Sequence, residues 1–160
     1  MSSYPLLQRG VSLWQRLTHI LDNTQPLAAL LARGYVAEAF FRSGLTKIRD
    51  WDTTLALFAD EYHVPLLSPG AAAVMGTAGE LVLPVLLMLG LGGRFAALGL
   101  SVVNVVAVIS LSEIAPAALQ QHVTWGVLLA GLAIHGVGRW SLDCALVAPA
   151  LRASKLGNQS

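Results

Sequence analysis

Pro69-Gly-Ala-Ala-Ala-Val-Met-Gly76-Thr-Ala-Gly79-Glu80-Leu-Val-Leu-Pro84-Val-Leu-Leu-Met-Leu89-Gly90-Leu91 contains a single ionisable side chain, Glu80. A helix that crosses the hydrocarbon of a bilayer needs about 20 mostly apolar residues, and this run supplies them. Three further stretches, 26–48, 95–111 and 123–137, approach the same length, the last two by drawing on their flanks. Of the 160 residues 55% are hydrophobic and 12% charged, about half the ~25% charged share of a soluble domain. Little chain is left over for a water-soluble domain. The expectation is an all-α, integral membrane four-helix transmembrane bundle, with the lipid bilayer as its first partner.

The flanks divide the chain into an N-terminal segment 1–25, the transmembrane domain 26–147 and a tail 148–160. In the first segment Leu7, Val11, Trp14, Leu17 and Leu21 recur at helical spacing, with Gln8, Ser12, Gln15, Arg16 and His19 on other faces. That pattern predicts an amphipathic surface helix. No basic cluster, short apolar run and small-residue cleavage site occur in order, so the first span is expected to act as an uncleaved insertion signal. Arg9, Arg16, Arg94, Arg139, Arg152 and Lys155 fall on one side of a four-span topology, against Lys47 and Arg49 on the other. Basic residues accumulate on the cytoplasmic side, which predicts both termini there.

The longest outer loop, 49–68, is expected to hold a short helix capped by Asp52 or Thr53. Leu55, Phe58 and Tyr62 would share its inner face, making it a lid. Gly90-Leu91-Gly92-Gly93-Arg94 lacks the strand and the Lys-Ser/Thr ending of a phosphate loop and reads as a tight turn. Trp51, Trp125 and Trp140 are placed at span ends, where aromatic belts form. Cys144 is the sole cysteine, so electron transfer through an internal dithiol pair is excluded. A net charge of +1 without a basic run gives no sign of nucleic acid as a partner.

Charges inside the spans are the informative residues, because each costs about 2.5–3.5 kcal/mol at a helix centre on insertion scales. The first span holds Arg33, Glu38 and Arg42, with Lys47 at its end, and the second holds Glu80. Glu38 and Arg42 are four apart, on one face with the acid leading. Glu38, Glu80 and Asn104 are each close to the middle of their own spans, which predicts a common level and a buried polar cluster. Pro84 cannot donate to the carbonyl of Glu80, so the helix bends there. Ala72, Gly76 and Gly79 let a neighbour approach. These residues suit a ligand or proton site and equally suit charges that only dock helices. His63 and His122 border the outer loops, but no metal ligand set and no nucleophile–base–acid arrangement emerges.

The motifs resemble the DoxX family of small four-helix membrane proteins over roughly residues 27–147. The first span carries Arg33-Gly34, then Glu38-Ala-Phe-Phe-Arg-Ser-Gly44-Leu-Thr-Lys47, similar to the family's arginine, Phe-x-x-x-Gly and following lysine. The second carries Gly79-Glu80-Leu and ends Leu89-Gly-Leu-Gly-Gly-Arg94, like the family's glutamate and glycine–arginine turn. Gly136-Val137-Gly138-Arg139-Trp140-Ser141-Leu142-Asp143 is similar to a frequent Gly-Pro-Gly ending, with Val137 in place of proline. Phe58 to Pro65 and His122-Val-Thr-Trp125 are similar to a branch encoded beside metal-stress peptide systems. The resemblance implies a bacterial inner-membrane protein linked to redox processes. DoxD-type relatives belong to thiosulfate:quinone oxidoreductases, and some DoxX proteins associate with superoxide- and thiol-defence enzymes. It supplies motif positions, Arg33, Lys47, Glu80 and Arg94, but no catalytic residues.

The leading expectation is therefore a redox-associated membrane subunit with quinone as its ligand. Arg33 or Arg42 would hold a carbonyl oxygen, and Glu80 or Glu38 would relay protons. The alternatives are a non-enzymatic anchor or assembly factor for a partner protein, a homo-oligomer, and a small transporter or metal-stress accessory.

Overall fold

The computed structural model describes residues 5–146, with side chains from residue 10 onward. The expected tail 148–160, with Arg152 and Lys155, lies outside the described residues, as do the side chains of Leu7, Gln8 and Arg9. Among the described residues five helices are delimited, in order α1 Pro5–Arg49, α2 Trp51–Asp60, α3 Pro69–Leu89, α4 Gly93–Ser110 and α5 Pro116–His135. Among the described residues there is no strand, only an isolated bridge between Tyr62 and Leu111.

α3, α4 and α5 are each long and apolar enough to cross a membrane. Their ends follow from local chemistry. Ser68 caps α3 through a bond to the amide of Ala71 with Pro69 in the first turn, and Gly90 ends it at φ +67°. The amide of Leu91 then returns to the carbonyl of Leu86 at 3.0 Å. α5 starts at Pro116, taking in the flank ahead of residue 123, because proline needs no partner for an amide in the first turn. Trp125 consequently sits in the middle of α5 and not at a span end, and its ring packs 5.3 Å from Phe40 in the core.

α1 is a single helix of 45 residues with Pro26 inside it, roughly 67 Å of helix at the usual rise. The helix runs unbroken across the 25/26 boundary: a proline removes one helical bond, and Leu27-Ala-Ala-Leu-Leu31 carries the helix onward. Residues 10–25 lie almost wholly exposed, and the part from 26 onward joins the bundle. That part packs on α3 and α5, α3 on α4, and α4 on α5, which closes a four-helix ring. Val36, Phe40, Leu87, Leu100, Leu129 and Leu132 fill its middle. Small residues set the spacing, since Ala96 and Ala97 are fully buried.

α2 lies across one end. Its cap is Asp50 rather than Asp52 or Thr53. The Asp50 carboxylate accepts from the amide of Thr53 at 3.0 Å and from its hydroxyl at 2.7 Å, because a cap bonds the amide three residues on. Phe58 is buried against Ala72 and Ala73, with Leu55 and Tyr62 beside it. The amide of His63 donates to the carbonyl of Ser110 at 2.9 Å, tying the end of this lid to α4.

The turn at Gly90 is a tight point of the opposite end. A Cβ on Gly90 would lie 2.4 Å from that of Ser141 and 2.7 Å from the Arg33 guanidinium. Gly92 shares the left-handed backbone but has open space around it. Gly90→Ala should therefore lower stability by about 2–4 kcal/mol, adding steric strain to the φ penalty. Gly92→Ala should cost only about 1 kcal/mol. Thermal unfolding of the two purified variants in one detergent checks the difference.

Candidate functional site

The charges of α1 do not form one cluster. Arg33 is 1% exposed and donates to the carbonyls of Val137 at 3.0 Å and Trp140 at 2.9 Å. It ties α1 to the segment after α5 rather than meeting Glu80. Nearby, the carboxylate of Asp143 accepts from the amides of Gly92 and Gly93 at 2.8 and 2.9 Å, capping α4 from a distance. Arg94 is exposed at the same end and donates to the carbonyl of Ile134 at 3.3 Å. An open cleft of about 680 Å³ lies there beside Arg94, His135 and Arg139.

Glu38 and Arg42 pair with each other at 2.7 Å, but their side chains are 61% and 77% exposed. They belong to the outer flank of the bundle and not to its core. The expected common level also fails for Glu38, which lies beside Pro84, Val85 and Met88. Gly44 is the α1 residue that meets Glu80. Helix phase explains both results. At about 100° per residue, Arg33, Val36, Ala37, Phe40, Gly44 and Lys47 share the inward face, and residues 38 and 42 fall away from it.

Glu80 is held by Lys47. The ammonium Nζ lies 2.6 Å from Oε2, with the two side chains 15% and 10% exposed. Lys47 also donates to the Ser43 hydroxyl at 2.9 Å, one helical turn back. Asn104, level with Gly79 through its neighbour Val103, turns instead to α5. Its amide donates to the carbonyl of His122 at 2.9 Å, and its carbonyl oxygen lies 2.8 Å from His122 Nδ1. His122 is thereby engaged, and among the described residues no three of His, Cys, Asp and Glu gather for a metal.

A cavity of about 430 Å³ lies between α3, α4 and the lid, with Lys47 and Glu80 in its wall. That is within the usual size range of small-molecule sites. The rest of the lining is mostly apolar, Val103 and Val106 among it, with Tyr62 and Ser110 as further polar groups. Leu66, Met75, Val102 and Ile109 line the cavity and are also exposed on the outside of the molecule. The cavity therefore reaches the outer surface between α3 and α4. Leu66 stands at φ +66°, the sole non-glycine residue in left-handed backbone among those described, at the tip of the segment that roofs the cavity. Burial first, and then the charges of Glu80 and Glu61, hold the Tyr62 phenol above its ordinary range. It stays a neutral donor at physiological pH.

Tyr62 was visible in the sequence as part of the lid's inner face. Its place beside Lys47 and Glu80 was not, because it depends on how the lid returns to α4. Nothing in the spacing pointed to His122 as the partner of Asn104.

These features define a small all-α membrane protein, with an ion pair set in the wall of a lidded apolar cavity. The sequence model of the DoxX family matches residues 28–113, more than half of the chain, and the chain belongs to the DoxX family. The match takes in Lys47, Tyr62 and Glu80 and stops ahead of α5, so the 136–143 segment falls outside it. No curated protein and no solved structure matches the chain.

Breaking the ion pair from one side should leave an uncompensated charge. Lys47→Met or Glu80→Leu alone should cost about 3–5 kcal/mol, whereas the double variant should be near neutral. Thermal unfolding of the four proteins forms the double-mutant cycle that checks it.

Proposed function

We propose that this chain is a redox-associated membrane subunit that binds a quinone in the cavity beneath the lid. The observation that carries the reading is the Lys47–Glu80 pair, a charged couple with both side chains largely buried beside an otherwise apolar cavity. A quinone asks for an apolar slot, donors for its carbonyl oxygens and a group that exchanges protons. The residues present fit that requirement. Lys47 and the Tyr62 hydroxyl are donors, and Glu80 is the proton-exchanging group. Arg33 and Arg42, weighed for the carbonyl contact, face elsewhere, and so does Glu38.

When bound, a quinone supplies a couple that takes up two electrons and two protons. Lys47 would hold and orient a carbonyl oxygen, and Glu80 would take up or deliver protons beside it. Phe58, Tyr62 and the 64–67 segment would exclude water. The electrons would come from a partner protein that carries a redox group. An opening between α3 and α4 suits a ligand that arrives through the lipid. The location we infer is a bacterial inner membrane with both termini cytoplasmic, which puts the lid on the outer side.

A second reading, that of an anchor for a partner protein, draws on the exposed start of α1. Val11, Leu13, Trp14, Leu17, Ile20 and Leu21 are all largely exposed there, on more of the helix surface than one stripe.

Mass spectrometry of lipids that copurify with the wild type, joined to titration with decylubiquinone, tests the quinone reading. Trp51 packs against the apolar cluster under the lid and serves as a fluorescence reporter. The expected result is a copurifying quinone and saturable quenching, with affinity at least tenfold weaker in Glu80→Gln and Tyr62→Phe. A folded wild type with neither quinone nor saturable quenching would overturn it and favour the anchor.

A further inference from the structure

Glu38 and Arg42 lie on the exposed outer flank of the bundle. Gly44 sits against Glu80 and Leu81, and Glu38 borders a groove of about 310 Å³ with Pro84, Val85 and Met88. The pair thus runs beside the second half of α3, a helix apolar enough to cross a membrane. One contact, Arg42 Nη2 to Glu38 Oε1, joins the two. It offsets the charges but leaves most guanidinium donors and the other carboxylate oxygen without partners. Acyl chains have no acceptors or donors to give them. Charged groups at this depth usually face a protein partner.

The arrangement of the pair says which partner fits. Two copies inserted in the same direction are related by a two-fold axis along the membrane normal, and such an interface sets one patch against itself. Glu38 of each copy then lies one helical turn, about 6 Å, from the level of Arg42 of the other. A long arginine side chain spans that offset. Each carboxylate meets the guanidinium of its own chain and that of the second copy, in a closed ring of alternating charge. Gly34, one turn before Glu38 on the same stripe, meets nothing within 4 Å even where a Cβ would be, so a second backbone can come close.

We propose that the stripe of Gly34, Glu38 and Arg42 is an intramembrane homodimer interface, occupied by the same stripe of a second copy of this chain. This assignment does not depend on the quinone reading.

Charge reversal tests it in lipid nanodiscs, with oligomeric state read by native mass spectrometry. The wild type should be a dimer. Glu38→Arg carries two cations in the stripe and Arg42→Glu two anions, so each alone should self-associate at least tenfold more weakly. Coexpressed with different tags, the two reversed chains should purify together as a one-to-one complex. Glu38→Leu combined with Arg42→Leu removes the charges without repulsion, and should give a folded monomer with an unchanged or higher melting temperature. A monomeric wild type would overturn the assignment, as would single reversals that dimerise like the wild type. If either reversal fails to fold alone, the coexpressed pair decides: recovery as a complex supports the interface, and no recovery overturns it.

Discussion

Hydrocarbon gives a charge no partner, and the ionisable side chains between residues 33 and 47 of α1 direct where the rest of this protein goes. Arg33 takes the carbonyls of Val137 and Trp140, which draws the chain after α5 back against the start of the bundle. Lys47 takes Glu80, which sets α1 against α3 near the middle of α3. Glu38 and Arg42 take each other on the remaining flank. One helix thus presents cations inward at both ends of its bundle half and an ion pair outward between them. The same charges leave α1 out of the helices apolar enough by composition to cross a membrane, although it closes the ring.

The two ends of the bundle are built differently. At the Gly90 end the chain is tightly fastened. Arg33, the Asp143 carboxylate on the amides of Gly92 and Gly93, and the close approach of Ser141 to Gly90 leave little room for movement. At the other end α2 and the 61–68 segment rest on an apolar cluster and are fastened to α4 chiefly by backbone contacts at Tyr62 and His63. Local stability follows the density of buried contacts, so the lid end is the one suited to admit a molecule. The cavity lies at that end.

Much of the fold could be read from composition and punctuation. Pro69, Gly90, Pro116 and Gly136 mark helix ends more closely than the apolar runs alone, and Pro116 fixes how far α5 draws on its flank. The lid was legible from Leu55, Phe58 and Tyr62. The polar site was half legible. Depth along a helix brings Glu80 and Asn104 to one level, and angle around α1 separates Glu38 and Arg42 from Arg33 and Lys47. That the two acids take different cations, Lys47 for Glu80 and Arg42 for Glu38, is a matter of helix rotation.

By itself the sequence determined the class of this protein: all-α, membrane-embedded, with a few charges whose burial demands partners. Hydrophobic length and helix punctuation are local properties, and solvent preference reads them directly. Only the tertiary structure decided which partner each charge received, that Asn104 would turn to His122, and that the lid would enclose a cavity beside Lys47 and Glu80. Those outcomes depend on the rotation and register of one packed helix against another. Side chains from residues tens of positions apart set them together, and no single stretch of sequence contains that choice.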